Sequence, residues 1–78
     1  MKKYFVRVLP KDEVLDVQGR AVMQMLKAQK YPVDSIRVGK LIEVVLNENA
    51  KDVEEVLKKI TAEGLYNPLV EVAEVEGL

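Results

Sequence analysis

Strand-like and helix-like hydrophobic periods follow one another along these 78 residues in the order β-α-β-β-α-β, which predicts an α+β fold: a two-layer sandwich of one antiparallel sheet and two helices. Three observations carry that expectation. An alternating stretch at the N-terminus stops at Pro10, which cannot donate to a ladder. Val53, Val56, Leu57 and Ile60 fall at i, i+3, i+4 and i+7, one face of a helix. A chain of 78 residues, 49% of them apolar, supplies one core and not two, so residues 1–78 read as a single domain.

The first strand covers residues 3–9, with Tyr4, Val6 and Val8 on one side and Phe5, Arg7 and Leu9 on the other. Asp16 stands where an N-cap belongs, ahead of Ala21, Val22, Met25 and Leu26 at helical spacing, so a helix runs from about 17 to 30 until Pro32 closes it. Within 35–46, Ile36 and Val38 share parity with Ile42, Val44 and Leu46 around Gly39-Lys40. A three-residue connection would pair Val38 with Ile42 and Ile36 with Val44; one long strand keeps the same parity and stays as the alternative. The second helix takes Asn49 as its cap, Gly64 as its stop, and Glu54–Lys58 and Glu55–Lys59 as i, i+4 pairs. A last strand spans 69–75. Two helices on one face of a sheet ordered 4-1-3-2 make this a ferredoxin-like arrangement.

Parity places Tyr4, Val6, Val8, Ile36, Val38, Ile42, Val44, Leu46, Val70 and Val72 under the helices. The opposite face then carries Phe5, Leu9, Val45, Leu69, Ala73 and Val75 around a row of alternating charge, Glu71, Arg7, Glu43 and Arg37. So apolar a second face is expected to be buried between copies of the chain, and Phe5, Arg7, Leu9, Arg37, Glu43, Val45, Glu71 and Ala73 are the expected interface of a homo-oligomer, dimer or tetramer. A chain under about 80 residues without disulfides has added reason to associate.

The absent residue types narrow the chemistry. With no Cys and no His there is no thiolate nucleophile, no imidazole base and no common zinc site, so no catalytic, cofactor-binding or metal residue is expected here. A net charge of −1 provides no footprint for nucleic acid. Arg7 interrupts the N-terminal apolar run well short of a signal core or a membrane span, so a cytoplasmic protein is expected, with no membrane partner. Two short motifs remain. Asp16-Val17-Gln18-Gly19 reads first as a capped helix start and second as an anion-favouring loop; Arg37-Val38-Gly39-Lys40 reads first as a turn and second as a cationic contact.

Taken as an ordered set, Tyr4-Phe5-Val6-Arg7-Val8, Leu15-Asp16-Val17-Gln18-Gly19 with Ala21-Val22, Ile36-Arg37-Val38-Gly39-Lys40 and the amphipathic second helix resemble the PurS family, over essentially the whole chain. That family more often has proline where this chain has Val17. The resemblance implies a non-catalytic small subunit of phosphoribosylformylglycinamidine synthase in purine biosynthesis. It implies a glutaminase subunit (PurQ) and a synthetase subunit (PurL) as partners, and a holoenzyme using ATP, magnesium and glutamine. It also makes Gln18, Gly19, Arg37 and Lys40 the expected partner contacts. The alternative is a metabolite-binding regulatory module of ACT type, for which Gly19 alone partly meets the need for a glycine-rich loop. A single-stranded RNA platform lacks aromatics, since Phe5 alone is available on the open face.

Overall fold

A computed structural model describes residues 2–76. Strand β1 (Lys2–Pro10) leads into helix α1 (Val17–Ala28), strand β2 (Lys40–Leu46), helix α2 (Val53–Ile60) with a π-helical turn at Thr61–Leu65, and strand β3 (Glu71–Glu76). The class is α+β, with two helices and a three-stranded antiparallel sheet ordered β2-β1-β3. Val6 pairs directly with Ile42 on one side and Val75 on the other, so these three side chains share a face. Val6, Val8 and Leu57 of α2 are the fully buried apolar side chains among the described residues, which sets the core where α2 lies over the middle of β1. On the outside of α2, Lys58 Nζ lies 3.2 Å from Glu54 Oε1 and Lys59 Nζ lies 3.3 Å from Glu55 Oε1, the two expected pairs.

Two parts of the predicted sheet take another form. No strand forms over 35–39, neither as one arm of a hairpin nor as the start of a long strand; β2 begins at Lys40. The cause is competition for partners. The hairpin would lay 35–38 along the outer edge of β2, which has no strand beside it among the described residues; the Val38 N–H donates instead to Asp16 Oδ2 at 2.7 Å. Arg37 accordingly leaves the sheet: its guanidinium donates to the Pro10 carbonyl and lies 3.4 Å from Asp12.

The second difference is the parity of β3. Pro10 pairs with Glu71 and Val8 with Ala73, so Glu71, Ala73 and Val75 lie on the helix face, while Val72, Glu74 and Glu76 lie on the open one. Each parity of this segment contains an apolar pair, Val70 with Val72 or Ala73 with Val75, so alternation alone does not choose between them. The expected charge row therefore keeps Arg7 and Glu43 and loses Glu71 and Arg37. Of the expected interface set, Phe5, Arg7, Leu9, Glu43 and Val45 share the open face; Glu71 and Ala73 lie on the other.

Helix α1 also departs from expectation, because it buries no apolar side chain; only Gly19 within it is buried, and Met25 is 53% exposed. The molecule measures 51 × 25 × 15 Å, and its radius of gyration is 15.9 Å. A compact chain of this length has a radius of about 11.5 Å. A nine-residue strand spans roughly 30 Å and a twelve-residue helix roughly 18 Å. Laid end to end they account for the long axis, so α1 and the return over 32–36 form an arm beyond the sheet.

Two glycines test this packing with opposite signs. A Cβ at Gly39 would run into the Val8 carbonyl and lie 2.8 Å from Leu9 Cδ2, whereas one at Gly64 meets nothing within 4 Å. Gly39→Ala is expected to lower stability by about 1–3 kcal/mol through overpacking, and Gly64→Ala to raise it by about 0.4–1 kcal/mol by restricting the unfolded chain. Thermal melts followed by circular dichroism check both.

Candidate functional site

The two short motifs singled out in the sequence meet at one place. Asp16 caps α1 by accepting from the Gly19 N–H at 2.8 Å through Oδ1, and through Oδ2 it accepts from the Val38 N–H, so one carboxylate joins the helix start to the returning chain. Gly19 is required by the close approach: a Cβ there would lie 2.5 Å from the Ile36 carbonyl oxygen. Val17 is the first helical residue, a position where a proline's missing N–H costs nothing, so either residue starts the helix once Asp16 supplies the cap.

Beside this clamp runs an open groove of about 490 Å³ whose walls include Leu15, Val17, Gln18, Lys40 and Glu71. Lys40 Nζ lies 3.9 Å from Glu71 Oε2 across it. Of the expected partner contacts, Gln18 and Lys40 border the groove. Gly19 is buried behind them, and Arg37 lies with Lys11, Asp12 and Glu13 around a separate depression. Leu15 and Val17, which flank Asp16 in the first motif, are 68% and 67% exposed at this helix start; an apolar residue held outward beside a cap has no periodic signature, so their exposure is not legible in the sequence.

The open sheet face is built around Phe5. Lys3 and Arg7 flank it along β1, while Glu43 of β2 and Glu76 of β3 pair with it directly from either side. Arg7 donates to Glu76 at 2.7 Å, and Lys3 lies 3.6 Å from Glu43. These contacts hold the Glu76 carboxyl below its ordinary range and the Arg7 guanidinium above its own, through their hydrogen bond first and their charges second. Leu9, Leu41, Val45 and Val72 surround the charges, and Leu41 is 60% exposed. Leu41, Val72, Glu74 and Glu76 join this face because β2 includes Leu41 and because β3 takes the other parity and runs on to Glu76.

Among the described residues no group of three or more Asp and Glu is placed to hold a metal ion, and no helix is long and apolar enough to cross a membrane. The arrangement is suited to docking: a braced helix start with exposed apolar residues at one end, and on the sheet an apolar face carrying paired charges.

Asp16 gives the site a pH signature. The backbone hydrogen bonds from Gly19, then Val38, hold its carboxyl below the ordinary aspartate value. A carboxyl depressed on folding contributes stability that is fully present above the unfolded-state pKa, about 3.9, and is lost as pH falls through the folded value. Wild type should therefore exceed Asp16→Asn in melting temperature at neutral pH, and the gap should close in acid below pH about 3.9; melts across pH 2–7 measure it.

The phosphoribosylformylglycinamidine (FGAM) synthase family PurS matches residues 3–78. The PurS subunit of phosphoribosylformylglycinamidine synthase from Bacillus subtilis is 33% identical over 72 residues, covering 91% of this chain and 86% of that one. PurS from Thermus thermophilus, a solved structure, is 38% identical with a TM-score of 0.80, covering 96% and 90% of the two chains. A chain of the solved PurLQS assembly from Thermotoga maritima is 34% identical with a TM-score of 0.79 and is covered end to end. With a family match over nearly its full length and relatives above 30% identity, the chain belongs to the PurS family.

Proposed function

We propose that this chain acts as the small, non-catalytic subunit of phosphoribosylformylglycinamidine synthase, coupling a glutaminase subunit (PurQ) to a synthetase subunit (PurL) in de novo purine synthesis in the cytoplasm. The observation that carries the reading is the end-to-end likeness to a chain of the PurLQS assembly, with which it shares both length and fold. The chemistry agrees with it. A glutaminase needs a nucleophile, and a chain with neither Cys nor His leaves that nucleophile to another subunit. ATP, magnesium and glutamine are then bound by the partners, and none by this chain. Ammonia released in one active site is protonated and diluted in water unless a sealed interface brings acceptor and source together, so a docking protein has a mechanistic use.

The 78 residues work as one domain, with the loop of Gln18 and Lys40 as a partner contact. We further propose a homo-oligomer, a dimer or a tetramer. The arm leaves the apolar side of α1 uncovered, and Phe5, Leu9 and Val45 lie on an open face; two-sided exposure of this kind is characteristic of a subunit. The strands and helices also fit a ferredoxin-like arrangement lacking one edge strand.

Purified alone, the chain is expected to sediment at two or four times 8.8 kDa at micromolar concentration. A species of the protomer mass that does not change with concentration contradicts the oligomer. Mixed with separate glutaminase and synthetase subunits, it is expected to be required for glutamine-dependent formylglycinamidine ribonucleotide synthesis, while high free ammonia still supports the synthetase without it. Full glutamine-dependent turnover in its absence defeats the proposal.

A further inference from the structure

Helix α1 has two apolar sides, and its own protomer covers one of them. Gly19, which lies against the Ile36 carbonyl of the returning chain, shares a helix face with Met23 and Leu26, and both of these are half-buried. Val17, Ala21 and Met25 follow one another at four-residue spacing, with Val22 beside them, and make a second apolar stripe whose members are all exposed. A helix of twelve residues gains little stability in water until such a stripe is packed.

The sheet presents the counterpart. On the helix side, Val6 and Val8 of β1 are fully buried with Leu57 of α2, while Ile42, Val44 and Leu46 of β2 share that face and stay half-buried. A groove of about 270 Å³ at the end of this strip is lined in part by Tyr4, Leu46, Ala50 and Val53. A split βαβ sandwich lays two helices on such a face, but the Asp16 clamp holds α1 in the arm, away from its own sheet. Charge divides along the same line. The arm, residues 17–36, carries Arg20, Lys27 and Lys30 against Asp34 alone, which leaves nine cations and twelve acids for the rest of the chain. An arm of one copy and the body of another attract, whereas two arms laid together set cations against cations.

We propose that two copies of the chain exchange arms: the Val17, Ala21 and Met25 stripe of each α1 lies over the β2 side of the other copy's sheet, beside that copy's α2, and restores a two-helix layer on both. This inference rests on the homo-oligomer proposed above and names its surface. Each copy gives one arm and receives one, a two-fold contact that closes at two chains.

The experiment uses the full chain, whose lack of cysteine lets single introduced thiols report position. Met25→Cys and Val44→Cys chains, purified apart, mixed and treated with a short bismaleimide, are expected to cross-link to each other, a product that is intermolecular by construction. In sedimentation, Met25→Asp is expected to raise the dissociation constant of the isolated chain by about tenfold, and Arg20→Glu with Lys27→Glu by about as much, while Phe5→Lys on the open sheet face leaves it unchanged. A cooperative melt in each variant shows that the core of Val6, Val8 and Leu57 has formed. Cross-linking of Met25→Cys to itself and not to Val44→Cys, or association lost in Phe5→Lys and retained in Met25→Asp, overturns arm exchange and leaves the homo-oligomer standing. A wild-type chain that stays at the protomer mass overturns both, and glutamine-dependent synthesis with the separate glutaminase and synthetase subunits then still decides the synthase reading.

Discussion

The Asp16 carboxylate ties the start of α1 to the chain entering β2, and most of the structure follows from that link and from β1 lying between β2 and β3. With its N–H taken by Asp16, Val38 does not fold back along the open outer edge of β2. Gly39 then passes so close to the Val8 carbonyl that no side chain fits, and β2 starts at the next residue. Loop, helix start and strand start are thereby fixed relative to one another by one carboxylate and two close approaches.

The same constraint decides what is exposed. Because the return segment does not lie in the sheet, α1 and its partner stretch project as an arm instead of closing over the strands. Isolated helices shorter than about 12–15 residues are marginal in water, and α1 with twelve residues has no apolar side chain buried in its own protomer. Within the protomer, α1 is held mainly by its Asp16 cap and its half-buried Met23 and Leu26. The core of Val6, Val8 and Leu57 is likewise small.

Charge is arranged to keep these surfaces distinct. On the open face Lys3 with Glu43 and Arg7 with Glu76 pair diagonally around Phe5, and Glu74 adds one further carboxylate opposite Arg7. Exposed pairs of this kind contribute little while wet and gain in consequence once water is removed. Strand β3 holds three carboxylates, of which Glu71 and Glu76 lie against Lys40 and Arg7, while β2 holds one cation and one anion.

By itself the sequence determined the α+β class, both helices, the first strand, the Asp16 cap, the side chains of β1 that face the core, the i, i+4 pairs of α2 and the absence of thiol and imidazole chemistry. Each of these is written in neighbours a few residues apart, where period, capping and composition act. The family resemblance was legible too, because Asp16-x-Gln18-Gly19 and Arg37-x-Gly39-Lys40 recur as an ordered pair. Only the tertiary structure decided that these motifs touch, that Ile36 and Val38 belong to no strand, and that Ala73 and Val75 face the helix. Those outcomes turn on contacts between groups distant in sequence, the Val38 N–H with one carboxylate and β3 with β1, and a one-residue change of register in β3 moves every side chain to the other face without altering its alternation.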